Sequence, residues 1–174
     1  MHVIERTIAY DGHYKLSKLR VQDEADVLNR ERFEPGRAVA ALVYDTATQH
    51  YIFTQQFRIG PEDELVELAA GMIDGDEEPK AAIRREIQEE LGYDVDRLEL
   101  ITRMWPSPGT SAETITVFYA EVSNQSGPGG GLAEENERIE LVRLTWDELV
   151  KARFEDGKTL LAVQWVQLQK AAKS

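Results

Sequence analysis

A single punctuated helix set among strand-forming runs constrains this chain more than any other feature. The segment "EPKAAIRREIQEEL", residues 78–91, has Pro79 where a first helical turn tolerates it. Ala81, Ala82, Ile83, Ile87 and Leu91 supply helix formers and apolar contacts, and Gly92 is a natural stop. The periodicity predicts a helix over 78–91. Runs of β-branched and aromatic residues lie on either side. "AVAALVYD" and "YIFTQQFR" flank the turn-forming "TATQ" as a hairpin, and alternation returns in "TITVFYAEV" and "RIELVRLTW". Earlier, "HVIERTIAY" and "YKLSKLRVQ" are separated by "DGH", whose Asp-Gly suits a tight turn, so a small sheet is expected at the N-terminus. Near the C-terminus Thr145 and Glu148 stand at capping-box spacing, opening a helix expected to end before Gly157. A last helix, "KTLLAVQWVQLQKAA", repeats Leu161, Trp165 and Leu168 at helical intervals, a stripe read as core or dimer contact. "SNQSGPGGGLAEENE", residues 123–137, reads as a loop inside the domain. A mixed sheet packed by a few helices follows, in one globular unit long enough at 174 residues to bury a core.

The helix poses a chemical question. Glu86 lies three residues from Glu89 and four from Glu90, so the three carboxylates share one sector while Ile83, Ile87 and Leu91 take another. Each like-charge pair at that spacing is unfavourable by roughly 0.2–0.5 kcal/mol, which an exposed helix tolerates without any function. Composition sharpens the alternatives. The chain has no Cys, which excludes a thiolate site, and His2, His13 and His50 are too scattered to suggest zinc, so a bound metal would take oxygen ligands. A formal charge of -12 opposes non-specific binding to nucleic acid or anionic membrane, and an anionic substrate would need bridging cations. No apolar run approaches the roughly 18 residues of a membrane helix, and the start lacks a signal-peptide stretch, so a cytoplasmic location is expected. "DGDEEP" resembles the start of a calcium loop, but counting from Asp74 puts Pro79 where Gly is needed and Arg85 where a bidentate Glu is needed.

Gly71, Glu77, Arg85, Glu86, Ile87, Glu89, Glu90, Gly92 and Tyr93 stand in the order and spacing of the Nudix box, GX5EX7REUXEEXGU with U a bulky apolar residue. The segment resembles a Nudix hydrolase signature, with an aromatic Tyr93 where an aliphatic residue is commoner. The resemblance implies that the box carboxylates hold divalent cations, Mg²⁺ or alternatively Mn²⁺, against a substrate diphosphate. Acids that repel when empty become a site for a hard cation. Arg85 is expected to pair with a neighbouring carboxylate and orient it.

The surroundings resemble the subgroup that cleaves ADP-ribose, GDP-mannose and other nucleoside diphosphate sugars. "QQFRIG" resembles its strand with a substrate-contacting Arg, which maps onto Arg58. "ELAAGMI" resembles the approach to the box, implying a metal-ligand carbonyl at Ala70 and a substrate contact at Met72. "WPSPGTSAE" resembles a Ser-Pro-Gly loop ending in Glu113, with Thr110 replacing the usual second Gly. "GGGLAEENERIEL" resembles the acidic loop that brings a base, Glu135 or the adjacent Glu134, and a metal ligand, Glu137. The full expectation is Glu135, Glu89 and Arg85 as catalytic residues, and Ala70, Glu86, Glu90 and Glu137 as metal ligands. Tyr14, Arg30, Glu31, Arg58, Met72, Glu113 and Lys158 would contact substrate. For Tyr14 simple packing is the alternative, for Arg30 and Glu31 a surface charge run, and for Lys158 a helix-start cap.

The implied fold class is α/β (α+β): a Nudix α/β/α sandwich around a mixed sheet, preceded by a small N-terminal antiparallel sheet. Residues 1–34 would be strands exchanged within a homodimer, and residues 35–174 the hydrolase domain. The implied activity is Mg²⁺-dependent hydrolysis of ADP-ribose to AMP and ribose 5-phosphate, with GDP-mannose or a broad range of nucleotide sugars as the alternative. A non-catalytic nucleotide-sugar sensor is the rival from another class, disfavoured by an intact box. Neither nucleic acid nor membrane is an expected partner.

Overall fold

The structure, a computed structural model, describes residues 1–131 and 138–172. It divides into two compact units, residues 1–37 with 104–115, and residues 38–103 with the remainder.

The first unit is built on three antiparallel strands, β1 (His2–Asp11), β2 (Lys15–Asp23) and β3 (Asp26–Glu34), in that order. β1 and β2 are the expected hairpin. β3, "DVLNRERFE", is a strand that the sequence disguises as a charge run. Its register against β2 is regular from Lys15↔Glu34 to Asp23↔Asp26, so backbone pairing rather than apolar alternation defines it. The loop 107–112 joins this unit through Phe33, whose N–H donates to the Thr110 carbonyl at 2.9 Å and whose carbonyl accepts from Ala112 at 2.8 Å.

The second unit holds a seven-stranded mixed sheet. Its strands are β4 (Arg37–Asp45), β5 (His50–Arg58), β6 (Asp63–Glu67), β7 (Ala69–Met72), β8 (Tyr93–Met104), β9 (Thr114–Gln125) and β10 (Glu140–Leu144). The order is β10-β5-β4-β9-β8, with β6 paired to β5 and β7 to β4. Alternation assigns the two faces. Val39, Ala41 and Val43 of β4 and Phe118, Ala120 and Val122 of β9 form one core with Ala82, Ile83, Ile87 and Leu91 of the acidic helix. On β9, Tyr119 points the other way, to Trp165 of α3 (Gly157–Ala171), 5.6 Å between centroids. Helices thus cover both faces of the sheet, each fully buried aliphatic or aromatic side chain contributing about 1.5–3 kcal/mol.

Two helix boundaries and one helix face differ from the sequence expectation. The acidic helix is α1 (Pro79–Glu86) followed by a π-helical turn, Ile87–Leu91, closed by Gly92 at φ +77°. The capping box at Thr145 and Glu148 forms, but α2 runs only Trp146–Leu149, and Phe154 beyond it stacks on Phe53 at 5.1 Å between centroids. On α3 the buried face is Thr159, Ala162, Val163 and Val166, while Leu168 is exposed. No helix among the described residues is long and apolar enough to cross a membrane.

Candidate active site

Four acceptors from three stretches of chain converge on one guanidinium. Arg85, in the last turn of α1, donates through Nη1 to Glu86 Oε1 at 2.7 Å and to Glu89 Oε2 at 3.0 Å. Through Nη2 it reaches Glu77 Oε2 at 3.2 Å and the carbonyl of Met72 at 3.1 Å. One planar fork therefore ties the helix to the preceding loop and to the end of β7. Burial works against the charge of Arg85, but its hydrogen bonds to Glu77, Glu86 and Glu89 and the charge of Glu86 outweigh it and hold its pKa above the ordinary value. The reciprocal hydrogen bond keeps Glu77 below the usual carboxylate range.

Glu86 and Glu90 are 9% and 2% exposed, unusual for acids that sequence alone would place on a solvated face. Glu90 Oε2 accepts the backbone N–H of Ala70 at 3.0 Å, which sets the π-helical turn against β7. Glu86 faces Gly71 so closely that a Cβ there would overlap its carboxylate. Ala70 and Gly71 are themselves fixed by pairing with Ala40 and Val39 of β4. The helix, the loop before it and the strand leading into it thus deliver Ala70, Met72, Arg85, Glu86, Glu89 and Glu90 to one place.

The donor chemistry there fits a hard divalent cation: carboxylate and carbonyl oxygens, two of the carboxylates buried, with no sulfur in the chain. Among the described residues no group of three acidic or His side chains forms a metal-holding set by itself, and Arg85 Nη1 lies between the Glu86 and Glu89 carboxylates, bonded to both. Glu134, Glu135 and Glu137 lie outside the described residues.

A second ionic cluster adjoins. Arg58 on β5 grips Glu67 on β6 with Nε and Nη2, at 3.1 and 2.7 Å. Lys158 Nζ lies 3.0 Å from the same Glu67 oxygen and 3.1 Å from Asp156 Oδ2. The Lys158 and Glu67 side chains are only 12% and 4% exposed, so this ammonium is committed to two carboxylates. The helix-start cap comes from Asp156, whose Oδ2 accepts from Thr159 N at 3.0 Å. Burial opposes the charge of Arg58, yet Glu67, and beyond it Glu90 and Asp156, raise its pKa. Glu67 escaped the sequence reading; its one signal is a lone acid among apolar residues in "LVELAA".

The other candidates belong to the N-terminal unit. Tyr14 is half exposed, its ring edge-on to Phe33 with centroids 5.1 Å apart. Arg30 and Glu31 are exposed neighbours on β3, Arg30 donating to the Asn29 carbonyl at 2.9 Å and Glu31 standing opposite Lys18. Glu113 donates its N–H to Ser111 Oγ at 3.1 Å. Thr110, at the position of the missing glycine, has its hydroxyl 2.9 Å from Ser107 Oγ, a bond glycine could not make.

Comparison with known proteins points the same way. A domain model described as NUDIX domain matches residues 34–173. The ADP-ribose pyrophosphatase of Haemophilus influenzae is 32% identical over 186 residues, covering 96% of this chain and 85% of that protein. The GDP-mannose pyrophosphatase of Cronobacter sakazakii is 33% identical over 178 residues, covering 97% and 90%. The methanol dehydrogenase activator of Bacillus methanolicus is 32% identical over 179 residues, covering 97% and 96%. A crystal structure of an ADP compounds hydrolase superposes with a TM-score of 0.82 over 99% of this chain and 95% of its own; at 17% identity it speaks for the fold alone.

Proposed function

This chain belongs to the Nudix hydrolase family, and on that premise we propose that it hydrolyses the diphosphate bond of nucleoside diphosphate sugars, ADP-ribose first among them. The observation that carries the reading is the pair of buried carboxylates, Glu86 and Glu90, set against Gly71 and Ala70. Buried acids are unfavourable unless partnered, and a site that is oxygen-rich and anionic overall suits a cation carrying a diphosphate. A GDP-mannose pyrophosphatase of equal similarity supports GDP-mannose as the second reading.

In the reaction a water oxygen bonds to one phosphorus, the bridging P–O bond breaks, and ADP-ribose yields AMP and ribose 5-phosphate. Divalent cations, Mg²⁺ or Mn²⁺, would neutralise phosphate oxygens and acidify that water when bound. Glu86, Glu90 and the Ala70 carbonyl are the groups we assign to hold them. Arg85 fixes Glu86 and Glu89 in orientation through its fork. Arg58, held in place by its grip on Glu67, is the cation we assign to the substrate diphosphate. By resemblance the proposal extends to substrate contacts from Tyr14, Arg30, Glu31, Met72 and Glu113, to proton removal by Glu135 and to a further ligand at Glu137. It also includes a cytoplasmic homodimer with exchanged N-terminal strands. β1, exposed along its whole length and paired among the described residues with β2 alone, supports that assembly.

Turnover of ADP-ribose, GDP-mannose, ADP-glucose and a deoxynucleoside triphosphate, each with Mg²⁺ and with chelator, tests the proposal. Cation-dependent release of a nucleoside monophosphate from ADP-ribose is expected. No turnover of any diphosphate sugar would overturn it.

A further inference from the structure

A helix leaves its last carbonyls without partners of its own. After the π-helical turn these belong to Glu89, Glu90, Leu91 and Gly92, and a single stretch, Gln125–Gly131, donates to every one of them. Gly131 N–H reaches the Glu89 carbonyl at 3.2 Å and Gly130 N–H that of Glu90 at 2.7 Å. The Gln125 side-chain amide reaches Leu91 at 3.4 Å, and the N–H groups of Ser126 and Gly127 reach Gly92 at 2.8 and 2.9 Å. The approach is as close as backbones allow. A Cβ on Gly129 would lie 2.7 Å from the carbonyl oxygen of Glu90 and 2.7 Å from the carbonyl carbon of Leu91, main-chain atoms that cannot swing aside. Gly92 faces the same seam, where its own Cβ would lie 2.8 Å from the nitrogen of Gly129. Gly129, Gly130 and Gly131 take φ of +65°, +97° and +80°, a region that glycine enters without strain.

We infer that Ser126–Gly131 is a backbone clamp on the π-helical turn, and that Gly129 is a positioning residue for Glu90. A π-helical turn, bonded i→i+5, is rare and frequently sits at functional sites, and here every terminal carbonyl of the turn takes its donor from one external stretch. Glu90 is gripped at both ends, its carbonyl by Gly130 and its carboxylate by the Ala70 N–H. Displacing the clamp shifts the turn and drags the carboxylate off Ala70. This role rests on the reading of Glu86 and Glu90 as holders of a divalent cation. A mere end-cap would lower stability and leave cation affinity alone; a clamp changes affinity in protein that is still folded.

The test is a Mn²⁺ titration of the parent chain, Gly129→Ala and Gly130→Ala, with free Mn²⁺ read by electron paramagnetic resonance well below each melting transition. Gly130→Ala meets no atom within 4 Å but keeps a strained φ of +97°, so it separates strain from collision. Gly129→Ala should bind Mn²⁺ about tenfold more weakly. Gly130→Ala should shift in the same direction by less. Equal affinity in the parent and in folded Gly129→Ala overturns the clamp. If Gly129→Ala does not fold, unchanged affinity in Gly130→Ala overturns it. A parent chain that binds no Mn²⁺ removes the cation site itself, and the clamp's role with it.

Discussion

Arg85 reaches Glu86 Oε1 at 2.7 Å through Nη1, the nitrogen it also offers to Glu89, and keeps Nη2 for Glu77 and the Met72 carbonyl. The guanidinium is thus the part that orients the acids rather than one more surface cation. Lysine carries the same charge but cannot span those four acceptors. Arg85→Lys is expected to lower turnover of the preferred diphosphate sugar by about 10- to 100-fold and to raise the Mg²⁺ concentration needed for half-maximal rate. Steady-state kinetics over a Mg²⁺ series check this; unchanged kcat would show that charge alone suffices.

Gly71 is needed for closeness rather than for backbone freedom. It pairs as an ordinary strand residue with Val39, yet a Cβ would occupy the place of the Glu86 carboxylate. Gly71→Ala should therefore keep the fold, with overpacking costing about 1–3 kcal/mol, while displacing Glu86 and lowering kcat by about tenfold or more. Activity measured beside a thermal melt decides it, since a variant that melts lower but turns over normally would show that Glu86 can move without consequence.

The box was legible because its spacing is a local code: Gly71, Glu77 and "REIQEE" lie within one short stretch of strand end, loop and helix, and helical periodicity already groups the acids. Their burial was not legible. That Glu86 and Glu90 lie under Gly71 and Ala70 depends on β7 pairing with β4, a contact between distant parts of the chain. β3 was hidden for the opposite reason, its apolar alternation broken by Asn29, Arg30, Glu31 and Arg32 while its backbone pairing is regular. The π-helical turn left no trace in composition. Its support comes from glycines that read simply as a loop, and only their carbonyl partners show what they hold.

Lys158 gives a case where a stability effect and a substrate effect can be told apart. Its ammonium joins Glu67 and Asp156 in a nearly enclosed cluster. Lys158→Met leaves two carboxylates sharing that space with only Arg58 to offset them. Removing one partner of a buried pair costs about 3–5 kcal/mol, toward the lower end here because Arg58 remains on Glu67. The expected result is a clear fall in Tm with KM for the diphosphate sugar nearly unchanged at a temperature where the variant is folded. A large rise in KM with little change in Tm would instead place Lys158 against the substrate.

Acid should weaken the fold through Asp45. Its side chain accepts from Ala47 N at 2.9 Å, Thr48 N at 3.2 Å, Thr48 Oγ1 at 2.8 Å and the Tyr93 hydroxyl at 3.2 Å. Burial alone would raise its pKa, but these donors outweigh burial and hold it below the ordinary 3.8. A carboxylate whose folded pKa is depressed contributes stability that is complete above its unfolded pKa and is lost as pH falls through the folded value. Asp45→Asn keeps the shape and removes the charge, so at neutral pH it should be less stable by about 1–3 kcal/mol. Because the parent then loses the same contribution on protonation, the gap should narrow below about pH 4 and close in stronger acid. Urea unfolding of both chains across that range measures it; a gap that stays constant with pH would mean that the hydrogen bonds, and not the charge, carry the contribution of Asp45.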